Sequence, residues 1–217
     1  MPRVKVKICG ITNWADARRA CEAGADFLGF NFYRKSSRYI SPARARKIVA
    51  RLPRRVRAVG VFVNETEAYV LETARTVGLN CLQLHGDESP ALVSSLRRSF
   101  AVIKAIRVGK SFRHSRLRAF KDASAILLDA FVPHVRGGTG STFNWSRVRQ
   151  TGRSRRPQIF LAGGISAENA DEAISVVKPY AIDVCSGVET APGKKDPAKI
   201  VALMRAVNGS HRNSGKS

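Results

Sequence analysis

The chain alternates eight times between a short apolar segment and a helix-like segment, and this alternation limits the possible folds more than any other feature. Apolar runs bounded by glycine or polar residues are typical of strands buried in a parallel sheet. The predicted strands are Val4–Cys9, Asp26–Phe32, Val56–Val63, Cys81–Leu84, Ala101–Val108, Ala125–Asp129, Gln158–Ala162 and Ala181–Val184. An open doubly wound sheet would fit this order too, but eight units with short connections favour closure. The sequence therefore predicts an α/β fold, a single (β/α)8 TIM barrel over residues 1–207.

Helix-capping residues occur between the predicted strands. Thr12 or Asn13 precedes the first helix, Gly24 follows it, and Ser41 with Pro42 opens the second. The predicted helices are Trp14–Ala23, Pro42–Leu52, Thr66–Val77, Ser89–Arg98, Phe112–Phe120, a short helix from Asn144, Ala167–Val177 and Pro197–Val207. Residues 208–217 are polar, so we expect a disordered C-terminal tail.

The chain is strongly basic, with 38 Lys and Arg residues against 16 Asp and Glu, a net charge of +22 and a pI near 11.0. Such a charge attracts nucleic acid, an acidic membrane or a small phosphorylated substrate, and does not choose among them. The arginines concentrate in Arg44–Arg57, Arg97–Lys121 and Arg147–Arg156, which we predict to be solvated helix faces. Because no zinc finger or RNA-binding motif accompanies them, a basic nucleic-acid-binding protein is the weaker alternative, and no specific nucleic-acid partner is expected.

Apolar segments and cysteines bear on location and cofactors. We find no apolar segment long enough for a membrane span or a secretion signal, so a cytoplasmic protein without a membrane partner is expected. The four cysteines, Cys9, Cys21, Cys81 and Cys185, lie far apart, which argues against a zinc site and a disulfide framework. Reduced thiols and no metal are expected.

The chemistry of such barrels takes place at the carboxyl ends of the strands. Residues predicted at these ends are Cys9, Asn31, Asn64, His85, Arg107, Asp129, Gly163-Gly164 and Ser186-Gly187. Lys7 and Cys9 share one face of the first strand, because side chains alternate along a strand. A thiol beyond a lysine at a strand end suggests an active-site wall, although a free cysteine is more often a small buried hydrophobe.

Two glycine-containing loops follow the last two predicted strands. Gly163 and Gly164 lie after the seventh strand, and Ser186 and Gly187 lie after the eighth. Backbone N–H groups beside helix N-termini bind phosphate, and phosphate sites of barrels recur in these two loops. The sequence therefore predicts that these four residues bind a phosphorylated substrate.

Other polar residues are candidates for the pocket. Asp129 ends an apolar strand, where a carboxylate serves as a helix cap or as a charge partner across the barrel. Arg38 lies in the second loop, and its guanidinium suits a carboxylate held through two parallel hydrogen bonds. His85 and Asp183 each share the face of their strand's terminal residue, so they either line the pocket or pair internally.

Motifs spread from the first strand to the last helix follow one pattern. They are Lys7–Thr12, Gly24–Asp26 with Gly29-Phe30, Ser37–Tyr39, Val59–Phe62, Leu82–Glu88, Leu128–Ala130, Gly137–Gly140, Leu161–Ile165 and Ser186–Thr190. In residue type and in order, over nearly the whole chain, they resemble the phosphoribosylanthranilate isomerases of tryptophan biosynthesis.

The resemblance implies a (β/α)8 barrel that converts N-(5-phosphoribosyl)anthranilate to 1-(2-carboxyphenylamino)-1-deoxyribulose 5-phosphate without a cofactor. It further implies that Cys9 is the general base, that Asp129 is the general acid and that Arg38 lies on the anthranilate side. The chain departs from the family after the Gly137–Gly140 motif. Ser141 and Asn144 stand there in place of the usual lysine and aspartate, although Asn144 can still cap a helix.

An Amadori rearrangement accounts for both catalytic residue types. An acid protonates the furanose oxygen as the ring opens to a Schiff base, and a base then removes the C2′ proton to give an enolamine. A thiol is a base only as thiolate, and because free cysteine has a pKa of roughly 8.5, a cation such as Lys7 must help.

Two questions remain open at the level of sequence. Another phosphosugar-binding barrel enzyme of tryptophan or histidine synthesis would share the phosphate loops, and the pair of Cys9 and Asp129 favours the isomerase over it. The oligomeric state is either a monomer or a homodimer.

Overall fold

Eight parallel strands close into a barrel in chain order in the computed structural model, which describes residues 3–109, 112–130, 144–149 and 157–213. The strands are β1 (Lys5–Ile8), β2 (Phe27–Asn31), β3 (Arg57–Phe62), β4 (Cys81–Leu84), β5 (Ala101–Val108), β6 (Ala125–Ala130), β7 (Gln158–Leu161) and β8 (Ala181–Val184). The barrel closes where β1 pairs with β8, with Lys7 opposite Asp183 and Ile8 opposite Val184. The predicted single (β/α)8 barrel is confirmed.

Helices connect successive strands on the outside of the barrel. They are α1 (Trp14–Ala23), α2 (Pro42–Val49), α3 (Glu67–Val77), α4 (Pro90–Leu96), α5 (Ser115–Arg118), α6 (Ala170–Val177) and α7 (Pro197–Asn213), with 3-10 turns at Trp145–Val148 and Ser186–Val188. A short antiparallel hairpin of β9 (Glu189–Ala191) and β10 (Lys194–Lys195) lies between β8 and α7.

Local sequence signals located several boundaries correctly. β4, β5, β8 and α1 have the predicted bounds. The side chain of Asn13 caps α1 by accepting a hydrogen bond from the Asp16 N–H at 2.9 Å, and Gly24 ends the helix with a left-handed φ of 100°.

Several predicted helix bounds were wrong: α2 ends at Val49 and not at Leu52, and α4 covers Pro90–Leu96 of the predicted Ser89–Arg98. α6 begins at Ala170 and not at Ala167, because the Asn169 side chain accepts from the Ser166 N–H and donates to the Gly164 carbonyl, which folds the intervening residues into a turn. α5 covers only Ser115–Arg118 of the predicted Phe112–Phe120, and no side chain caps its start.

A further correction concerns α7, which continues to Asn213 and not to Val207. Gly209 lies inside this extension, and its cost of about 1 kcal/mol in a helix is too small to end it. Residues 214–217, the predicted loop Phe131–Thr142 with its Gly137–Gly140 motif, and Ser141 lie outside the described residues.

An apolar layer fills the interior of the barrel below its carboxyl end. The residues packed there include Phe27, Val59, Ile103, Leu127 and Phe160. A second core lies between the strands and the surrounding helices. Polar side chains then take the place of apolar ones near the carboxyl ends of the strands, where Lys7, Gln83, Asp129 and Asp183 are all buried. Within the described ranges, none of the helices has the length and apolar character that a membrane crossing needs.

Candidate active site

A pocket opens at the carboxyl ends of the strands, and most of the predicted site residues line it. The candidates on its wall are Cys9, Asn31, Arg38, His85, Asp129, Gly163, Gly164, Asp183 and Ser186. Lys7 lies beneath this wall with no exposed surface, and Gly187 packs behind it against the backbone of Ile165. Two other strand-end residues lie away from the pocket: Asn64 bonds to the Asp87 N–H, and Arg107 pairs with the Asp87 carboxylate at 2.9 Å.

The first group of polar side chains at the pocket lies where β1 pairs with β8. Lys7 Nζ lies 2.8 Å from Asp183 Oδ1, across the paired residues of the two strands. Burial alone would lower the pKa of Lys7, but the charges of Asp183 and Cys9 outweigh it and raise that pKa above its ordinary value. Burial raises the pKa of Asp183 to about 7, against the pull of Lys7. A cation is therefore fixed directly below Cys9 in the wall of the pocket.

A second thiol lies beside Cys9. Cys9 and Cys185 directly follow the paired residues Ile8 and Val184, and the Cys9 N–H donates to the Val184 carbonyl at 2.9 Å. Hydrogen bonding with Cys185 is the largest cause that lowers the pKa of Cys9 well below its ordinary value. Burial opposes this effect and the charge of Lys7 adds to it. The same contact, together with burial, raises the pKa of Cys185, so Cys9 is the member of the pair that carries the negative charge.

Asp129 lies on β6 and is held by its own backbone and by a neighbouring strand. Its Oδ1 accepts from the Ala130 N–H at 2.9 Å, and its Oδ2 lies 3.2 Å from His85 Nε2. His85 Nδ1 is in turn 2.9 Å from Gln83 Nε2 on the same face of β4. With the Gln83 amide donating to Nδ1, the proton of a neutral imidazole stands on Nε2, on the side of Asp129. The bond from the Ala130 N–H therefore orients the carboxyl group in the pocket.

The loop after β2 brings Arg38 to the rim of the pocket. Its guanidinium contacts the Glu189 carboxylate, with Nη2 at 2.6 Å from Oε2. The bond to Glu189 is the largest cause that raises the pKa of Arg38, so the side chain remains a cation. Lys195 contributes a second cation to the same carboxylate, at 2.7 Å.

The two glycine loops that follow β7 and β8 lie against each other at the pocket. Gly163 and Gly164 have φ values of 88° and 62°, a left-handed backbone that glycine adopts without strain. A side chain at Gly187 would collide with the Ile165 carbonyl, so the second loop packs closely on the first. Among the described residues, neither the Gly164 N–H nor the Gly187 N–H donates a backbone hydrogen bond in a turn, a loop or between separate helices and strands. The loops thus offer backbone donors suited to an anion.

The described part of the chain contains no group of three or more His, Cys, Asp or Glu side chains arranged to hold a metal ion. All four cysteines are free thiols. Since Cys9 and Asp129 line one pocket, a thiol and a carboxyl group can act there as base and acid, beside two sites suited to anions.

Sequence reasoning missed four residues of the site: Gln83, Cys185, Glu189 and Lys195. Gln83 precedes His85 by two positions, so strand periodicity was a sufficient signal for it. Cys185 follows β8, and closure of the barrel brings the end of β8 beside Cys9. Glu189 and Lys195 lie in the hairpin of β9 and β10, which no pattern in the sequence predicted.

Known proteins share both the sequence and the fold. A family model described as N-(5′-phosphoribosyl)anthranilate (PRA) isomerase matches residues 6–206. The N-(5′-phosphoribosyl)anthranilate isomerase of Acidithiobacillus ferrooxidans is 45% identical over 97% of this chain and 100% of the relative. The crystal structure of phosphoribosyl anthranilate isomerase from Thermotoga maritima is 45% identical, with a TM-score of 0.88 over 95% of this chain and 99% of that one. A phosphoribosyl anthranilate isomerase in complex with reduced 1-(o-carboxyphenylamino)-1-deoxyribulose 5-phosphate is 43% identical, with a TM-score of 0.85 over the same shares.

Proposed function

Because this chain belongs to the N-(5′-phosphoribosyl)anthranilate isomerase family, we propose that Cys9 is the general base and Asp129 the general acid of its reaction. The reaction is the Amadori rearrangement of N-(5-phosphoribosyl)anthranilate to 1-(2-carboxyphenylamino)-1-deoxyribulose 5-phosphate in tryptophan biosynthesis. The observation that carries the two roles is that one thiol favoured as thiolate and one oriented carboxyl group face the same pocket. The rearrangement requires one proton given and one proton removed.

Cys9 is suited to the base because its surroundings favour the anion. The Cys185 thiol donates to the Cys9 sulfur, and the buried Lys7 ammonium supplies a positive charge below it. A thiolate formed in this way removes the C2′ proton of the Schiff base and becomes a thiol. Since Lys7 is paired with Asp183, it stays charged while the sulfur changes its charge.

Asp129 is suited to the acid because it lies on a different strand from Cys9 but faces the same pocket. When protonated, it donates to the furanose oxygen as the C1′–O bond breaks and the Schiff base forms. The carboxylate that remains lies 3.2 Å from His85 Nε2 and accepts from the Ala130 N–H, so the negative charge is stabilised when it appears.

The two ends of the substrate then have separate sites. The phosphate occupies the loops of Gly163-Gly164 and Ser186-Gly187, whose backbone N–H groups are suited to an anion. The anthranilate carboxylate binds Arg38, the cation at the rim of the pocket beside Cys9 and Gly10.

The wider setting of the reaction follows from the same features. No step of this proton transfer needs a cofactor, and every side chain named for it comes from a single chain, so a monomer or a homodimer can act. We place the protein in the cytoplasm without a membrane partner. We expect no specific nucleic-acid partner, since no zinc finger or RNA-binding motif accompanies the basic residues of the sequence.

The test is turnover of the purified protein with phosphoribosylanthranilate, followed as the loss of anthranilate-type fluorescence. We expect activity without added metal or cofactor and after treatment with a chelator. Absence of turnover in a folded preparation, or turnover of a different phosphosugar of tryptophan or histidine synthesis in its place, would contradict the proposal.

A further inference from the structure

One buried carboxylate outside the acid–base pair collects several donors beside the pocket. Glu189, the first residue of β9, is only 7% exposed. It accepts from Arg38 Nε and Nη2, from Lys195 Nζ at 2.7 Å and from the Gly193 N–H at 3.1 Å, and the Cys185 sulfur lies 3.9 Å from its Oε1. Burial would raise the pKa of Glu189, but its bonds to Arg38 and Lys195 lower it, so the group is an anion. A charged carboxylate is thus fixed behind the rim, within the hairpin that follows the phosphate loop.

The bonds to Glu189 use one particular edge of the Arg38 guanidinium. Nε lies 3.0 Å from Oε1, and Nη2 lies 2.6 Å from Oε2, so the edge formed by these two nitrogens faces Glu189. A guanidinium is planar and carries five N–H donors in a rigid fork, with a second edge formed by Nη1 and Nη2. Each edge matches one carboxylate through two parallel hydrogen bonds. Arg38 lines the pocket and Glu189 is not on its wall. The second edge is therefore the one available to a ligand.

Close packing leaves the Arg38 side chain little freedom to turn. A β-carbon on Gly10 would lie 2.7 Å from Arg38 Cδ, so the stem of the arginine runs directly over the backbone of the loop after β1. Glu189 is itself held by Lys195 and by the turn of the hairpin. The direction of the guanidinium is consequently fixed from both of its ends.

We propose that Glu189 is a positioning residue, which turns the Nη1–Nη2 edge of Arg38 toward the carboxylate on the aromatic ring of the substrate. This inference rests on the proposed function, because it takes the substrate carboxylate to bind Arg38. It makes Glu189 a determinant of specificity for an ortho-carboxylated ring, although the residue itself carries the same charge as the group that it selects.

The sign of the charge separates positioning from simple electrostatics. If Glu189 acted only through its charge, removing it would leave Arg38 and Lys195 unneutralised and would strengthen the binding of an anion. If Glu189 positions Arg38, removing the charge frees the guanidinium to rotate and weakens binding of the carboxylate. The two accounts therefore predict opposite changes for Glu189→Gln.

The experiment compares two ligands by isothermal titration calorimetry. One is reduced 1-(o-carboxyphenylamino)-1-deoxyribulose 5-phosphate, and the other is the same compound without the ring carboxylate. We expect Glu189→Gln to reduce the preference for the carboxylated ligand on the order of tenfold or more, equivalent to one charge-assisted hydrogen bond. Binding of the second ligand should not change. In the double variant with Arg38→Met, the preference should equal that of Arg38→Met alone, since both changes remove one interaction.

Asp26→Asn is the matched control. Asp26 also accepts from an arginine, a lysine and a backbone N–H, namely Arg3, Lys5 and Val6, but it follows α1 at the opposite end of the barrel. Its loss should leave the ligand preference unchanged. If Glu189→Gln does not fold, Glu189→Asp should show the same reduced preference, because it keeps the charge for Lys195 but is one methylene shorter.

Three results would overturn the inference. They are an unchanged or increased preference in the Glu189 variants, an equal weakening of both ligands, and an additive effect with Arg38→Met. A parent protein that binds neither ligand and shows no turnover would refute the proposed function, and this inference with it.

Discussion

Replacing Cys185 tests how the site favours the thiolate form of Cys9, the proposed general base. The Cys185 thiol donates a hydrogen bond to the Cys9 sulfur, and this contact is the largest cause that lowers the pKa of Cys9. In Cys185→Ala the donor is lost while Lys7, paired with Asp183, remains below the sulfur. The pKa of Cys9 should therefore rise part of the way toward its ordinary value.

The size of the change follows from the type of bond. A hydrogen bond to a charged group contributes about 1.5–3 kcal/mol, and about 1.4 kcal/mol corresponds to a factor of ten, so the fraction of Cys9 present as thiolate below its pKa should fall by roughly 10- to 100-fold. The proposed base is active as thiolate, which is present above its pKa. A higher pKa therefore moves the acidic limb of kcat/KM to higher pH, and kcat/KM on that limb should fall by roughly 10- to 100-fold.

Two measurements check this shift. The first is the pH profile of kcat/KM, and the second is the rate at which iodoacetamide alkylates Cys9 at each pH, read by mass spectrometry of the peptide that contains it. Cys185→Ser is the matched control, because its hydroxyl still donates a hydrogen bond and should keep the shift small. If both profiles of Cys185→Ala lie within about 0.3 pH units of the parent, less than the loss of a single weak hydrogen bond would give, the role assigned to Cys185 is wrong.

Three further predictions concern the proton-transfer pair, the phosphate loops and the charge. Cys9→Ala and Asp129→Ala should each lower kcat by on the order of 100- to 10,000-fold, and Cys9→Ser should be nearly as poor as Cys9→Ala. Arg38→Ala should act chiefly on KM. A Cys9→Ala variant with a kcat within about tenfold of the parent value would refute the role of Cys9 as general base. Gly164→Val should raise the KM for the phosphorylated substrate and weaken the binding of inorganic phosphate. The control is Gly78→Val, which has a similar positive φ after α3 and should change only stability. An unchanged KM in Gly164→Val would mean that the phosphate binds elsewhere. The net charge of +22 should give only weak, sequence-independent binding to DNA or RNA in gel-shift titrations, and the affinity should fall steeply with salt. Nanomolar binding to one sequence at physiological salt would contradict this prediction.

Local patterns predicted the framework of the barrel well. Apolar runs ending at polar or glycine residues gave the bounds of β4, β5 and β8, and the strand ends carried Cys9 and Asp129 into the pocket. These predictions succeeded because they need little information. The alternation of side chains along a strand depends only on neighbouring residues, and the location of a barrel's active site at the carboxyl ends of its strands depends only on the order of the elements.

Contacts across the closure of the barrel could not be predicted in the same way. The pairing of Lys7 with Asp183 and the contact of Cys9 with Cys185 depend on which residues of β1 and β8 lie opposite each other, at opposite ends of the sequence. The bonds between Arg38 and Glu189 further depend on a hairpin whose strands are two and three residues long. The register between two strands and the formation of a short hairpin are set by the packing of the whole barrel. Local sequence patterns, which do not show which residues are neighbours in space, therefore do not specify them.

Burial of the ion pair between Lys7 and Asp183 is better explained by function than by stability. Desolvation of two charges generally offsets their attraction, so apolar residues of the same volume would stabilise such a site at least as well. The barrel interior directly below this layer is in fact apolar, with Phe27 and Phe160 in edge-to-face contact at 5.3 Å. The ion pair of Lys7 and Asp183 lies instead in the layer beside the pocket, where the ammonium lies under the sulfur of the proposed base. A residue that stays charged through the cycle, because its own partner is buried with it, keeps the field at Cys9 constant while the substrate changes.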